Sequence, residues 1–115
     1  NLYAAKIYHD NKDYDNALTS LNMIRDNTNS IEMLDIANIR SARILIFLKR
    51  FDEAKNSILA VDNYMENAIS TELLGDIEYY KNNLKEAKDY YLESLDSDMT
   101  PNKRKIIENK INSIN

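Results

Sequence analysis

Apolar residues recur along this chain three and four residues apart, in stretches separated by short polar turns. Ala17, Leu21 and Ile24 lie on one such stripe, and this spacing is typical of the buried face of an α-helix. Polar stretches such as residues 26–30 and 82–83 predict helix ends, because they interrupt the apolar period. The pattern therefore predicts an all-α fold of short helices joined by polar turns.

A short phrase occurs three times: an aromatic residue or Leu, two polar residues, then Ala. The phrase ends at Ala17, Ala54 and Ala87, and these alanines are 37 and 33 residues apart. Another small residue lies twelve positions before each alanine. These small residues are Ala5, Ala42 and Gly75. Since small side chains allow two helices to cross closely, the phrases predict a series of helical hairpins.

The interval resembles the repeat of about 34 residues found in tetratricopeptide proteins. This resemblance implies a helical hairpin solenoid of three hairpins plus a C-terminal capping helix, all in one domain. Extra residues in the first interval fit the Asn-rich turn 27–30. The alternative is an irregular helical bundle in which the Ala matches arise by chance. Three matches to the same motif argue against it. The expected divisions are a domain over residues 1–115, repeats over about 1–29, 30–66 and 67–99, and a cap over about 101–114.

Individual helices follow from the same pattern, which predicts about seven of them. The first hairpin is expected to pair a helix over about 1–11 with one over about 14–26, capped by Asp13. The stretch 62–67 is ambiguous between helix and turn. Gly75 inside a helix predicts that a neighbouring backbone comes close. Pro101 suits the first turn of the last helix.

Composition narrows the functional class. A net charge of −4 and a pI near 5.0 argue against non-specific nucleic-acid binding, which needs a basic face. The basic residues 103–105 are interpreted as a solvated helix face. The apolar run 44–48 is too short to cross a bilayer. The chain begins with Asn1, which we interpret as the start of a fragment of a longer protein.

The sequence contains few residues that could catalyse a reaction or bind a metal ion. His9 is the single histidine and has neither a Cys nor a triad spacing around it. Asp96 and Asp98 lack the Gly and terminal Glu of a calcium loop. A chain with one Gly and no Cys has no phosphate-binding loop and no thiol chemistry. The sequence therefore predicts no enzyme activity, no catalytic residue, no metal site and no cofactor.

The first helices of the hairpins are instead expected to line a partner-binding groove for a protein or peptide. The position just after each small residue is occupied by Lys6, Arg43 and Asp76, which predicts a groove running from basic to acidic with an apolar and aromatic floor. Phe47, Tyr79 and Tyr80 could instead belong to the hairpin core. The full predicted set is Lys6, His9, Ile39, Arg43, Ile46, Phe47, Glu72, Asp76, Tyr79 and Tyr80.

A narrower resemblance rests on several segments taken together. They are residues 36–37, 40–45, 50–54, 74–77 and 83–87, the Tyr90-Tyr91 pair, Leu95, Pro101, the Lys110-Ile111 pair and Ile114. In these segments the chain is similar to the ancillary SecYEG translocon subunits, the YfgM-like proteins. It departs from that family by lacking an N-terminal anchor and by its high content of Asn, Ile and Lys.

The resemblance implies a membrane-anchored bacterial protein with a periplasmic repeat domain. Its expected partners are the SecYEG translocon and a membrane-bound periplasmic chaperone of the prolyl-isomerase type. Its expected location is the periplasmic side of the inner membrane, with membrane attachment only through a missing N-terminal anchor. A cytoplasmic tetratricopeptide adaptor, or a scaffold domain of a larger protein, is the alternative.

Overall fold

The computed structural model describes residues 13–114, and all of their regular structure is helical. Six α-helices and one short 3-10 helix follow one another, with turns of three to eight residues between the α-helices. The helices are α1 (Tyr14–Asn27), α2 (Ile31–Phe47), α3 (Phe51–Leu59), the 3-10 helix Tyr64–Glu66, α4 (Ala68–Tyr80), α5 (Leu84–Leu95) and α6 (Pro101–Ile114). The predicted all-α fold is confirmed.

Side-chain caps help to fix the starts of α1, α2 and α4, and the Thr100 hydroxyl does the same for α6 by accepting from the Lys103 N–H at 3.2 Å. The carboxylate of Asp13 accepts a hydrogen bond from the Asn16 backbone N–H at 3.4 Å, as the sequence predicts. The Ser30 hydroxyl accepts from the Met33 N–H at 3.3 Å, and the Asn67 side chain accepts from the Ser70 N–H at 3.0 Å. Each cap satisfies a backbone donor that has no partner inside its own helix, so the polar turns of the sequence set the helix boundaries.

Two tight turns, after α2 and α4, share one backbone design. Lys49 and Asn82, 33 residues apart, both adopt left-handed backbone conformations with φ of 62° and 65°. The next residue in each turn donates its N–H back to the helix, from Arg50 to Leu45 O and from Asn83 to Glu78 O, each at 2.8 Å. This six-to-one bond is the Schellman motif. The same turn geometry therefore recurs at the repeat interval, as the helices do.

The described residues divide into two compact units at Asp62 and Asn63. In the first unit α2 packs against both α1 and α3. Ala17, Ala42 and Ala54 are fully buried there, as the repeat predicts. One core cluster joins α1 to α2 through Ala17, Leu21, Ala37 and Ile44.

In the second unit α5 packs against both α4 and α6. Its core cluster contains Ala87, Tyr91, Ile107 and Ile111, with Ala87 fully buried. Gly75 meets the ring of Tyr91, with which a Cβ atom at position 75 would collide. The expectation of a close backbone at Gly75 is therefore wrong: an aromatic side chain from the paired helix fills the space that a Cβ would need.

The remaining expectations on architecture have mixed outcomes. The helix predicted over 1–11 lies outside the described residues, and the ambiguous stretch 62–67 contains the 3-10 helix. Pro101 is the first residue of α6, as predicted. The single domain over residues 1–115 stays a prediction. No helix among residues 13–114 combines the length and the apolar character that a bilayer crossing requires.

Candidate functional site

The exposed side of α2 carries four residues of the predicted groove. Ile39, Arg43, Ile46 and Phe47 are three and four residues apart, so they share one helix face. Arg43 is exposed, Ile39 and Ile46 are half-buried, and Phe47 is 64% exposed. We call these four residues, together with Ile36 one turn earlier, the α2 face.

Phe47 is held in place by an aromatic neighbour. Its ring lies 4.9 Å from the ring of Tyr14, measured between centroids, with the planes tilted by 40°. Such aromatic pairs are favourable beyond the area they bury. Phe47 therefore presents an apolar surface that is held in place by Tyr14 and remains 64% exposed.

The corresponding side of α4 carries Glu72, Asp76, Tyr79 and Tyr80. Tyr79 and Tyr80 are 39% and 62% exposed, and their rings meet edge to face at 5.7 Å. Tyr80 lies 33 positions after Phe47, so one repeat position carries a largely exposed aromatic ring in both units. The alternative that Phe47, Tyr79 and Tyr80 are core residues is wrong, because none of the three is buried.

Glu72 and Asp76 form a charge network with α6. Lys110 Nζ lies 2.7 Å from Glu72 Oε2 and 3.0 Å from Asp76 Oδ1. Lys103 Nζ lies 2.5 Å from Glu72 Oε1. From α5, the Tyr91 hydroxyl donates a hydrogen bond to Asp76 Oδ1 at 2.6 Å. Two carboxylates and two ammonium groups thus meet in one partly buried cluster, which joins three helices.

The network shifts the pKa values of its members. Burial alone favours the neutral form of Glu72, but hydrogen bonds from Lys103 and Lys110 outweigh it and hold the pKa of Glu72 below its usual range. Burial also disfavours the charged form of Lys110, yet Glu72 and Asp76 outweigh this effect and raise its pKa. Burial and the hydrogen bond to Asp76 raise the pKa of Tyr91, which keeps its hydroxyl proton as a donor.

A shallow pocket of about 160 Å³ lies beside this network. It opens between the last turn of α4 and the last turn of α6, and its walls are aromatic and polar. Its lining residues are Asp76, Tyr79, Tyr80, Tyr91, Lys110 and Ser113. The exposed tyrosines at its rim offer stacking surface, while the charges at its base already compensate one another.

The comparisons with known proteins agree with this architecture. A family model described as a tetratricopeptide repeat-like domain matches residues 1–115. The chain belongs to this tetratricopeptide repeat-like family. No curated protein and no solved structure matched it. Repeat domains of this type stack helical hairpins and characteristically bind protein partners, so the family supports a protein-interaction module.

Within this repeat domain, one predicted groove residue lies elsewhere than expected. Glu72 is only 3% exposed, and its carboxylate faces Lys103 and Lys110 instead of solvent. The acidic end predicted for the groove is therefore neutralised, because two lysines of α6 form ion pairs with the carboxylates of α4. Lys6 and His9 lie outside the described residues. Partner contact by the other predicted residues stays a prediction.

Sequence reasoning missed the lysines that complete this network. Residues 103–105 were expected to form a solvated face, but Lys103 pairs with a buried carboxylate. The signal was present in the spacing: Lys103 and Lys110 are seven residues apart, with the buried Ile107 between them on the same side of α6. This spacing could predict the ion pairs only once it was known that the lysines of α6 face α4.

Metal chemistry finds no support in the described part of the chain. Residues 13–114 contain no group of three or more His, Asp or Glu side chains placed to hold a metal ion. The carboxylates that do come together, Glu72 and Asp76, are already paired with lysines. The arrangement suits molecular recognition, since its exposed groups are aromatic rings, aliphatic side chains and one arginine.

Proposed function

We propose that this chain binds a protein partner without catalysing a reaction, through the first helix of its hairpins. The observation that carries the proposal is the repeated exposed ring: Phe47 on α2 and Tyr80 on α4 occupy the same repeat position and are 64% and 62% exposed. Large rings are normally buried, and aromatic side chains supply much of the binding energy at interfaces. An exposed ring at the matched position of each unit is the feature expected if each first helix contacts a partner.

We propose further that the partner is part of the secretion machinery. In this proposal the chain is the periplasmic repeat domain of a membrane-anchored ancillary subunit of the bacterial SecYEG translocon, and it works with a membrane-bound periplasmic chaperone. Support comes from the resemblance of several segments to the YfgM-like proteins, among them residues 74–77 and 83–87 and the Pro101 helix. The tetratricopeptide repeat-like family is compatible with this role.

Site-specific photocrosslinking in living cells tests the partner. A photoreactive phenylalanine analogue replaces Phe47 in the full-length protein, and a matched variant carries it at Lys85, whose side chain is 84% exposed on α5. We expect crosslinks from position 47, and not from position 85, to translocon subunits or to the chaperone. Crosslinks from position 47 to unrelated proteins would retain the binding module and reject the translocon role. An absence of crosslinks at position 47 would reject this face as the binding site.

Two further observations test the location. The reading frame upstream of Asn1 is expected to encode an apolar stretch of about 20 residues, long enough to cross a bilayer. A single Cys at position 85 in this Cys-free sequence is expected to react with a membrane-impermeant maleimide once the outer membrane is opened. Labelling only after the inner membrane is broken would instead support the cytoplasmic adaptor.

A further inference from the structure

We propose that the α2 face selects an acidic partner: a segment of another protein in which Asp or Glu side chains alternate with apolar ones, with a carboxylate binding Arg43. This inference rests on the proposed protein-binding function and specifies the chemistry of its partner. It concerns the first unit alone, where Ile36, Ile39, Arg43, Ile46 and Phe47 share one side of α2.

The apolar part of the proposal follows from exposure. Ile36 is 39% exposed and Phe47 is 64% exposed, and Ile39 and Ile46 lie half-buried between them. On an ideal helix these positions fall within about 60° of Arg43 around the axis. They therefore form one apolar strip with Arg43 at its centre. Contiguous exposed apolar surface of this kind is a mark of interaction sites.

Within residues 13–114, the charge of Arg43 at the centre of the strip has no compensating partner. Among residues 13–114 no carboxylate forms an ion pair or hydrogen bond with Arg43. Glu32 lies on the same side of α2, but eleven residues away, which is about 16 Å along the helix. Asp35, the other acid of α2, accepts a hydrogen bond from the Asp62 N–H at 3.0 Å.

In the second unit, the charged residue at the matching repeat position is paired within the chain. Asp76 lies 33 positions after Arg43, at the same place in the repeat. There, Lys110 and the Tyr91 hydroxyl both reach the carboxylate within 3.0 Å. The negative charge of Asp76 is thus neutralised by contacts within the chain. The positive charge of Arg43 has no such contact among the described residues and is available to a partner.

A carboxylate is the group that fits this position. The guanidinium fork of Arg matches a carboxylate with two parallel hydrogen bonds, and the flanking Ile and Phe side chains exclude water from such a pair. The chain carries a net charge of −4, so its overall field does not attract an acidic partner. Selection of an acidic segment therefore depends on the local charge of the α2 face.

A peptide-display selection on the folded chain tests the proposal without assuming a sequence. A random peptide library is selected on the immobilised wild type, on Arg43→Glu and on Lys105→Glu. The last variant makes the same charge change at an exposed position of α6. Circular dichroism and thermal melts confirm that all three are folded. We expect wild type and Lys105→Glu to enrich peptides rich in Asp or Glu and in apolar residues, and Arg43→Glu to enrich basic ones.

Affinities of an enriched acidic peptide, labelled for fluorescence anisotropy, give the quantitative result. Arg43→Glu should weaken binding by at least about tenfold, and Lys105→Glu by less than about twofold. Phe47→Ala should weaken it by about tenfold, as expected for an aromatic side chain that contributes much of the binding energy at an interface. Raising NaCl from about 0.05 M to about 0.5 M should weaken wild-type binding several-fold, because salt screens the pair.

The possible failures are distinguishable. Peptides enriched without any acidic preference, or bound equally by wild type and Arg43→Glu, would overturn the acidic-partner proposal and leave the binding module standing. Full affinity in Phe47→Ala would overturn the apolar half of the strip. If no peptide is enriched on any folded variant, both this proposal and peptide binding by the module are contradicted.

Discussion

Lys110 on α6 holds the buried carboxylate of Glu72 on α4, with 2.7 Å between Nζ and Oε2. The two residues are 38 positions apart in the chain, and the same ammonium group also contacts Asp76. The terminal helix is therefore fastened by ionic contacts as well as by the packing of Ile107 and Ile111. This relationship explains why the side of α4 that should have been open to a partner is partly closed.

Removing Lys110 should cost stability. Lys110→Met keeps the aliphatic packing but leaves Asp76 without its ammonium partner and Glu72 with Lys103 alone. We expect the free energy of unfolding to fall by about 1–3 kcal/mol, since a buried charge loses its compensation. Urea unfolding followed by circular dichroism measures this change.

The matched control is Lys85→Met, which breaks the exposed pair with Asp89. Exposed ion pairs contribute little, so its urea midpoint should stay close to that of the wild type. Equal effects of the two substitutions would show that the Lys110 network adds nothing to stability.

The network should also make stability depend on pH at the acidic end. The pKa of Glu72 is lower in the folded chain than in the unfolded one, so its stabilising contribution is fully present above the unfolded pKa of about 4.3. That contribution is lost as pH falls through the folded pKa. The stability difference between wild type and Glu72→Gln should therefore shrink from about pH 6 to about pH 3.

Unfolding curves of the two proteins at each pH measure this difference. Glu86→Gln, a change of the same kind at an exposed position of α5, provides the control and should track the wild type. A difference between wild type and Glu72→Gln that stays constant with pH would contradict the ionic role of Glu72.

Gly75 should not tolerate even one added carbon. Ala is favoured over Gly inside a helix by about 1 kcal/mol, but a Cβ at position 75 collides with the Tyr91 ring. We expect Gly75→Ala to lower stability, and Gly75→Leu to lower it by about 1–3 kcal/mol through overpacking. Thermal or urea melts check both.

A double-mutant cycle assigns the cause. In a Tyr91→Leu background the ring is absent, so Gly75→Ala should become neutral or stabilising. The same destabilisation in both backgrounds would show that the ring contact is not responsible.

Lys49 offers a route to a more stable chain. Its φ of 62° is unfavourable for a side chain but natural for Gly at the end of a Schellman turn. We expect Lys49→Gly to raise stability by about 1 kcal/mol. Asn82→Gly should gain less, because Asn tolerates the left-handed conformation better than Lys does.

Comparison of the melting temperatures of these two variants tests the argument. Lys55→Gly, inside α3, is the internal control and should destabilise by about 1 kcal/mol. A loss of stability in Lys49→Gly would mean that the Lys side chain itself stabilises the turn.

Periodicity predicted much of the fold because helices and turns depend on neighbouring residues. The start of α1 at Tyr14 with its Asp13 cap, the start of α6 at Pro101 and the burial of Ala17, Ala54 and Ala87 all follow the sequence pattern. Small residues at helix crossings leave a clear trace in the sequence, since few other side chains fit there.

The candidate site was harder to predict, because the faces of a helix are assigned by its neighbours. Glu72 and Asp76 have the spacing of groove residues, yet α6 covers Glu72 almost completely. Phe47 and Tyr80 are exposed, as the repeat spacing predicted, although hydrophobicity alone would place such rings in a core. Neither outcome follows from the hydrophobicity of the residues, because it does not specify which helix surfaces are covered by another helix.

The sequence by itself determined the helical hairpins, their interval, their turn chemistry and the positions of the small residues, because these depend on contacts within a few residues or on a repeated spacing. Tertiary structure alone decided that Tyr91 fills the space beside Gly75 and that Lys110 neutralises Glu72. Such contacts join residues 16 and 38 positions apart. They depend on the angles at which whole helices pack, and a linear pattern does not specify those angles.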